Sequence, residues 1–583
     1  LKQLMSGNEA IARGAYEAGV KVAAAYPGTP STEILENIVD YKDKIYCEWS
    51  PNEKVAAEVA IGASIAGVRS LAAMKHVGVN VAADPIFTFA YSGVNAGFVL
   101  VSADDPSMHS SQNEQDNRYY AKFAKMAMVE PSDSQEAKDF IAEALRISEQ
   151  FDTPVLFRVT TRICHSKSIV ELGERKEVEP KEYVRDMVKY ISTPANAKIA
   201  HARVEKRLKA LEEYSNKSPL NKVEYNENAK IGIVTASVAY QYAKEVFGDN
   251  ASYLKLGFTY PLPMDLIKDF ASKFETVYVI EELEPYMEEQ MKAAGISCIG
   301  KELIPNLYEL NPDVVAKALL NKESETKTLD AKVVARPPVL CPGCPHRGFF
   351  YTMSKKKNTV ITSDIGCYTL GGMAPLNSVD TCICMGAGFS AGMGMAKAFE
   401  VTGSDKKVFG VLGDSTFFHS GITGAIDIIY NKGKMVPVVL DNRITGMTGH
   451  QQNPGTGRTL MGEDAIEIDP VEVLKAIGYK TVKVVDPCDL KAMGETVEEA
   501  ESSKEPYAIV TKRPCVLIKT LPPFKTKCTV VKEKCKKCKM CLKVGCPAVF
   551  FKDGTSYIDQ SMCVGCEVCM QVCKFDAIEK VGE

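Results

Sequence analysis

Eight cysteines crowd into the stretch Cys535–Cys573, and their spacing constrains the fold more than any other feature of the chain. They form two runs, Cys535-x2-Cys538-x2-Cys541-x4-Cys546 and Cys563-x2-Cys566-x2-Cys569-x3-Cys573, each a triplet followed by a more distant fourth thiol. Three thiols at two-residue gaps put soft, anionic donors into one tight loop, which suits iron and inorganic sulfide. A zinc ribbon usually spaces its cysteines in pairs. A secreted disulfide framework belongs to a short chain, whereas here most of the other cysteines are solitary among 583 residues.

That length accommodates three or four domains, each able to bury a core. A net charge of −4 argues against nucleic acid as a partner. No apolar run approaches the ~18 residues of a membrane span, and the first residues lack the charged-then-apolar order of a signal peptide. No membrane association and a cytoplasmic location are therefore expected.

Strand and helix patterns alternate through most of the chain, in RSLAAMKHVG, AGFVLVSADD and TPVLFRVT and again in VFGVLGDS and MVPVVLDN. Such alternation predicts α/β domains with doubly wound parallel sheets. Composition places domains at 1–170, 171–325, 326–524 and 525–583. Lys/Glu-rich residues 167–226 read as a linker or exposed helical excursion, and residues 321–333 as a polar linker. The series at 230–320 carries no metal or nucleophile cluster and reads as a packing domain.

Two buried-strand patterns end in polar residues, Gly413-Asp414-Ser415 and Asp441-Asn442. Carboxylate and amide oxygens at neighbouring strand ends can converge on a hard cation such as Mg²⁺. Gly413 permits close backbone approach to a diphosphate, and Ser415–Ser420 opens a helix whose N-terminus favours anions. The alternative is an ordinary strand–turn–helix with Asp414 as N-cap. Near the start, the hydroxyl-rich turn Tyr26–Thr32 follows a strand, and Glu53 opens a small-residue helix, where it favours the helix dipole. His76, His109, Gln112 and Arg118 lie in polar tracts that are either solvated loops or a grip on a charged substrate. Cys341-Pro-Gly-Cys344 can be redox-active, zinc-binding or unpaired. His346, His419 and His450 follow turn-rich motifs and suit either packing or proton transfer.

The tail matches the bacterial two-cluster ferredoxin pattern. That resemblance implies crossed ligation: Cys535, Cys538, Cys541 and Cys573 for one [4Fe–4S] cluster, and Cys563, Cys566, Cys569 and Cys546 for the other. It departs from that pattern in the four residues before Cys546 and in Lys574, which stands where proline is usual. GDS…DN resembles the cation motif of thiamine diphosphate enzymes, and NEKVAAEVAIG resembles their helix bearing the activating glutamate. With YPGTPST, MKHVG, HSSQNEQD, CPGCPHR, DIGCYTLGG, GDSTFFHSGI and MTGHQ, essentially the whole chain resembles the thiamine diphosphate-dependent 2-oxoacid:ferredoxin oxidoreductases, in their indolepyruvate-type large (alpha) subunits.

The resemblance implies two thiamine diphosphate-binding domains (pyrimidine-binding, then diphosphate-binding), an intervening transketolase C-terminal-like α/β domain and an α+β ferredoxin domain. It implies that Glu53 activates the cofactor, that Thr29 contacts substrate, and that Asp414, Asn442 and the Ile444 carbonyl hold Mg²⁺. Met385, before Gly386, matches the apolar residue that bends the cofactor, or is simple core. Cys341, Cys344, Cys367 and Cys515 match a third, proximal [4Fe–4S] cluster, with Cys382 and Cys384 as nearby alternatives. The implied reaction is anaerobic oxidation of aryl pyruvates from aromatic amino acids, with coenzyme A, a soluble ferredoxin and a smaller beta subunit in an α₂β₂ enzyme. The alternatives are another 2-oxoacid, or an electron-transfer subunit with a non-catalytic thiamine site.

Overall fold

A computed structural model describes residues 1–323, 331, 333–521 and 526–581, which divide into two compact units, Leu1–Asp330 and Ala331–Glu583. Most of the polar segment 321–333 lies outside the described residues.

The first unit is built on a seven-stranded sheet. Its order is Phe258–Tyr260, Ala127–Val129, Val155–Thr160, Phe98–Asp104, Ser70–Lys75, Val22–Ala25 and Tyr46–Trp49. All neighbours run parallel except the first pair, where Phe258–Tyr260 adds antiparallel to the edge. The central strands are continuous apolar runs because helices cover both faces. One of these helices, Gly7–Glu17, starts with a capping box in which the Ser6 hydroxyl accepts from Glu9 N and the Glu9 carboxylate accepts from Ser6 N. It packs on Ser134–Phe151 so closely that a Cβ on Gly14 would lie 2.3 Å from the Lys138 carbonyl oxygen.

A four-stranded sheet follows, ordered Thr276–Ile280, Ile231–Ala236, Ala251–Leu256 and Lys222–Glu224, with only the last strand antiparallel. Between the two sheets in sequence, the helix Pro194–Ser215 is not an exposed excursion. Val204 and Leu211 are fully buried, and Arg207 donates to the carbonyls of Ala90 and Asp152. Its Lys/Glu content reflects one solvated face of a docked helix.

Arg118, expected as a substrate grip, is 2% exposed and engaged throughout by protein. Its guanidinium pairs with Asp116 and with Glu281, the latter at 2.6 Å, and donates to the carbonyls of Glu282 and Glu284 at 2.8 and 3.0 Å. Nearby, buried Arg158 pairs with Asp104 and Glu130 at 2.9 and 2.8 Å. The Arg118–Glu281 pair joins the helix Arg118–Ala124 to the segment around Glu281. Removing one partner strands the others in low dielectric, so Arg118→Ala is expected to cost about 3–5 kcal/mol of unfolding free energy. Chemical denaturation of the purified protein measures this; a loss below about 1 kcal/mol, the value of an exposed pair, refutes it.

In the second unit six strands are all parallel, ordered Thr381–Cys382, Thr359–Ser363, Lys407–Gly413, Met435–Asp441, Tyr507–Lys512 and Thr481–Val485. The alternation of the sequence thus resolves into the expected α/β architecture. The tail forms two antiparallel strand pairs, Lys527–Val530 with Ile578–Val581 and Val549–Lys552 with Thr555–Ile558. Among the described residues no helix is long and apolar enough to cross a membrane.

Candidate active site

In the six-stranded sheet Gly413 pairs with Leu440, so the two central strands end at nearly the same level. Asp414 and Asn442 therefore emerge side by side, 3% and 6% exposed. With its amide nitrogen turned toward them, Asn442 donates to the Ile444 carbonyl oxygen at 2.8 Å and to Asp414 Oδ1 at 2.9 Å. The Asp414 carboxylate and the Ile444 carbonyl thus converge on the Asn442 amide. Turned the other way, that amide would complete an all-oxygen set, which suits Mg²⁺. Asn453 Nδ2 donates to Asp414 Oδ2 at 3.0 Å and orients the carboxylate. Burial, and then the Asp441 carboxylate, pushes Asp414 up to about 7.

After Asp414 the chain turns through Asp414–Thr416 and a π-turn at Phe417–Gly421 before the helix Ile422–Tyr430. Such wide turns recur at functional sites. Ser415 is buried, with its hydroxyl accepting from Thr445 at 3.0 Å. Gly386 has φ +89°, and a Cβ there would lie 2.8 Å from Ser420 Cβ. Gly386 N donates to Asp364 Oδ2 at 2.7 Å, and burial raises that carboxyl to about 8. Met385 is partly exposed, which simple core packing does not explain.

The histidines separate. His346 is buried edge-on against the Tyr368 ring at 5.9 Å, and burial lowers it to about 4, so its imidazole is neutral near pH 7. His419 shares a hydrogen bond with the Ser420 hydroxyl. His450 Nε2 lies 3.8 Å from Cys515 Sγ.

In the first unit, Glu53 opens the helix Glu53–Ile65, with Asn52 as N-cap accepting from Val55 N. It is 5% exposed and lies against Gly78, where a Cβ would be 2.7 Å from Glu53 Oε1. Lys75 stands between carboxylates: burial lowers it to about 8, against the opposing pull of Asp105 and Glu53. Lys75 Nζ donates to Ser110 O, and Asp105 accepts from Ser110 N, Ser111 and Thr161. Thr29, Asp105, His109, Thr161, Arg162 and His165 line a cavity of about 420 Å³ at the carboxyl edge of the sheet. His109 faces Glu309 at 3.4 Å, and Gln112 is exposed. His76 is fully buried, with Nε2 3.2 Å from Asn113 O, and burial, then Lys75, lowers its pKa.

Several of the motif cysteines act on one another's thiols. After burial, Cys515 and Cys341 each raise Cys367, and Cys367 and Cys341 raise Cys344, so the four share one locale. Cys382 and Cys384 are exposed. In the tail Cys573 and Cys535 act on Cys541, while Cys566 and Cys546 act on Cys569, a crossed neighbourhood. Backbone N–H groups of Cys528 and Ala577 donate to the sulfurs of Cys563 and Cys573 at 3.4 and 3.3 Å. Among the described residues no three His, Cys, Asp or Glu side chains close on a single metal ion. Soft thiolate donors of this kind suit iron–sulfur clusters. Cys488 and Cys528, unmarked by spacing, act on the thiols of Cys566 and Cys569.

Three family models match this chain. "Pyruvate flavodoxin/ferredoxin oxidoreductase, thiamine diP-bdg" covers residues 13–227, "Thiamine pyrophosphate enzyme, C-terminal TPP binding domain" covers 364–511, and "4Fe-4S binding domain" covers 556–579. The class is a thiamine diphosphate-dependent oxidoreductase that carries its own iron–sulfur module. Among curated relatives, "Indolepyruvate oxidoreductase subunit IorA" of Archaeoglobus fulgidus is 42% identical, over 99% of this chain and 97% of its own length. Its counterpart in Pyrococcus horikoshii is 41% identical, over 100% and 97%. The chain belongs to the family of IorA subunits of indolepyruvate oxidoreductases. A solved 2-oxoglutarate:ferredoxin oxidoreductase from Magnetococcus marinus matches 55% of this chain and 65% of its own, with 16% identity and a TM-score of 0.46.

A dication entering the Asp414 site must displace the proton held there up to about pH 7. Affinity for Mn²⁺, a spectroscopic substitute for Mg²⁺, is expected to fall as pH drops through about 7. Asp414→Asn should abolish both the binding and its pH dependence; unchanged binding in that variant removes Asp414 from the ligand set.

Proposed function

We propose that the chain is the catalytic large (alpha) subunit of an enzyme that oxidatively decarboxylates aryl pyruvates: indolepyruvate, phenylpyruvate and hydroxyphenylpyruvate. The products are CO₂ and the aryl-acetyl-CoA, and the two electrons released pass singly through iron–sulfur clusters to a soluble ferredoxin. A smaller beta subunit completes an α₂β₂ assembly. The observation that carries the reading is an adjacency: a Cβ on Gly446 would lie 3.5 Å from both Asn442 Nδ2 and Cys367 Sγ. The oxygen site and the four-thiol site are neighbours. A decarboxylase that merely protonates its product has no use for an electron acceptor there.

Thiamine diphosphate, when bound, supplies a nucleophilic carbon and a sink for the electrons of the broken carboxylate bond. Asp414, Asn442 and the Ile444 carbonyl would hold the Mg²⁺ of its diphosphate, and Gly413, Ser415, Met385 and Gly386 would seat it. Glu53 is the carboxyl that holds the activating proton. Thr29 presents its hydroxyl to the substrate, while Lys75 and Asp105 fix the loop beside it. Cys341, Cys344, Cys367 and Cys515 would bind a proximal cluster, and the two tail quartets the others.

With the partner subunit present, viologen reduction should be fastest with aryl pyruvates; a preference for pyruvate or 2-oxoglutarate overturns the substrate assignment. Glu53→Gln should lose turnover by at least ~10²-fold while keeping its iron. Near-normal rates would mean that another group activates the cofactor. Fully reconstituted protein should hold about twelve irons per chain, and about eight would remove the proximal cluster.

A further inference from the structure

Arg347, three residues beyond Cys344, is 1% exposed, and among the described residues it forms no ion pair with a carboxylate. Its partners are carbonyls from two separate loops. Nη2 donates to Leu340 O and Cys341 O at 2.6 and 2.9 Å. Nη1 donates to Val544 O at 3.1 Å and to Gly545 O. Nε is buried with no partner. The first loop opens the Cys341–Cys344 pair, and the second leads directly into Cys546.

The same loops are in close approach elsewhere. Gly343 has φ +70°, and a Cβ there would lie 2.1 Å from Val564 Cγ2, between Cys563 and Cys566. Gly545, at φ +71°, holds the left-handed turn whose carbonyl Arg347 bonds. The guanidinium thus bonds the backbone of Cys341 in one quartet and of the Val544–Gly545 turn that leads into Cys546 in another.

A guanidinium stays charged at any pH a protein tolerates. Burying it without an opposite charge is costly, and carbonyl dipoles offset only part of that cost. A [4Fe–4S] cluster held by four thiolates carries net negative charge and would supply the missing anion. Two such sites flank this arginine.

We propose that Arg347 is the counter-charge shared by the Cys341–Cys344–Cys367–Cys515 cluster and the Cys546–Cys563–Cys566–Cys569 cluster, locking their loops together and raising both reduction potentials. This rests on the reading above that both quartets hold clusters. An electron crossing from the first to the second oxidises one by a single charge and reduces the other by the same. The total charge around the guanidinium is unchanged, so the transfer meets little electrostatic resistance.

The test is an EPR-monitored redox titration of the complete enzyme, with iron counted per chain, for the parent protein, Arg347→Gln and Arg347→Lys. In Arg347→Gln two of the three clusters should shift about tenfold toward the oxidised form at a given potential, about 59 mV for a one-electron couple, while the third holds. Arg347→Lys keeps the charge but not the planar fork, and its potentials should stay near the parent values. If Arg347→Gln loses iron, the two flanking quartets should empty and leave about four irons per chain, with Arg347→Lys restoring them. Unmoved potentials, an equal shift in all three clusters, loss of every iron, or Arg347→Lys displaced as far as Arg347→Gln would overturn the proposal. Parent protein with about eight irons is a different failure, that of the proximal cluster itself.

Discussion

Two parallel strands of the second unit, Lys407–Gly413 and Met435–Asp441, are paired so that Gly413 lies opposite Leu440. Everything around the site depends on that register. Asp414 lies one residue beyond Gly413 and Asn442 two beyond Leu440, so their side chains meet at 2.9 Å. A slip of one residue would turn one of them into the core, because strand side chains alternate faces. The flanking strands Thr359–Ser363 and Tyr507–Lys512 run in the same direction, and just past their ends lie Cys367 and Cys515. Parallel strands therefore deliver Asp414, Asn442, Cys367 and Cys515 to the same edge of the sheet.

Desolvation sets the chemistry at this edge. Asp414 and Asp364 are carboxyls raised by burial, and Cys344 and Cys367 are thiols raised to about 12 and 11 by the same cause. Burial thus favours the protonated, neutral form of each of these groups. Positive charge introduced by a dication or by iron would reverse each of these shifts.

The parts of the site that were legible in the sequence are those carried by local spacing. The cysteine triplets, GDS…DN and CPGC announce themselves because their residues lie within one loop or one strand end. Alternating buried strands likewise announced parallel sheets. What escaped comes from residues brought together across long stretches of chain. Asn453, Cys488 and Cys528 reach Asp414, Cys566 and Cys569 from elsewhere in the sequence, and no spacing links them. Asp364 carried a usable signal, a polar residue just past an apolar strand, within the quoted DIGC. Arg118 misled for the opposite reason: a polar tract gives no hint that Asp116, Glu281 and two carbonyls will consume its guanidinium. The Lys/Glu-rich helix Pro194–Ser215 hid its buried stripe among charges.

The short strand Phe258–Tyr260 closes one side of the seven-stranded sheet by pairing antiparallel to Ala127–Val129. An open strand edge is a template for pairing with another chain. The first sheet therefore borrows its edge protection from a segment more than a hundred residues downstream. The Lys/Glu-rich stretch between them looks like a seam, yet the chain cannot be parted there without leaving Ala127–Val129 bare. The two sheets of the first unit therefore depend on one another.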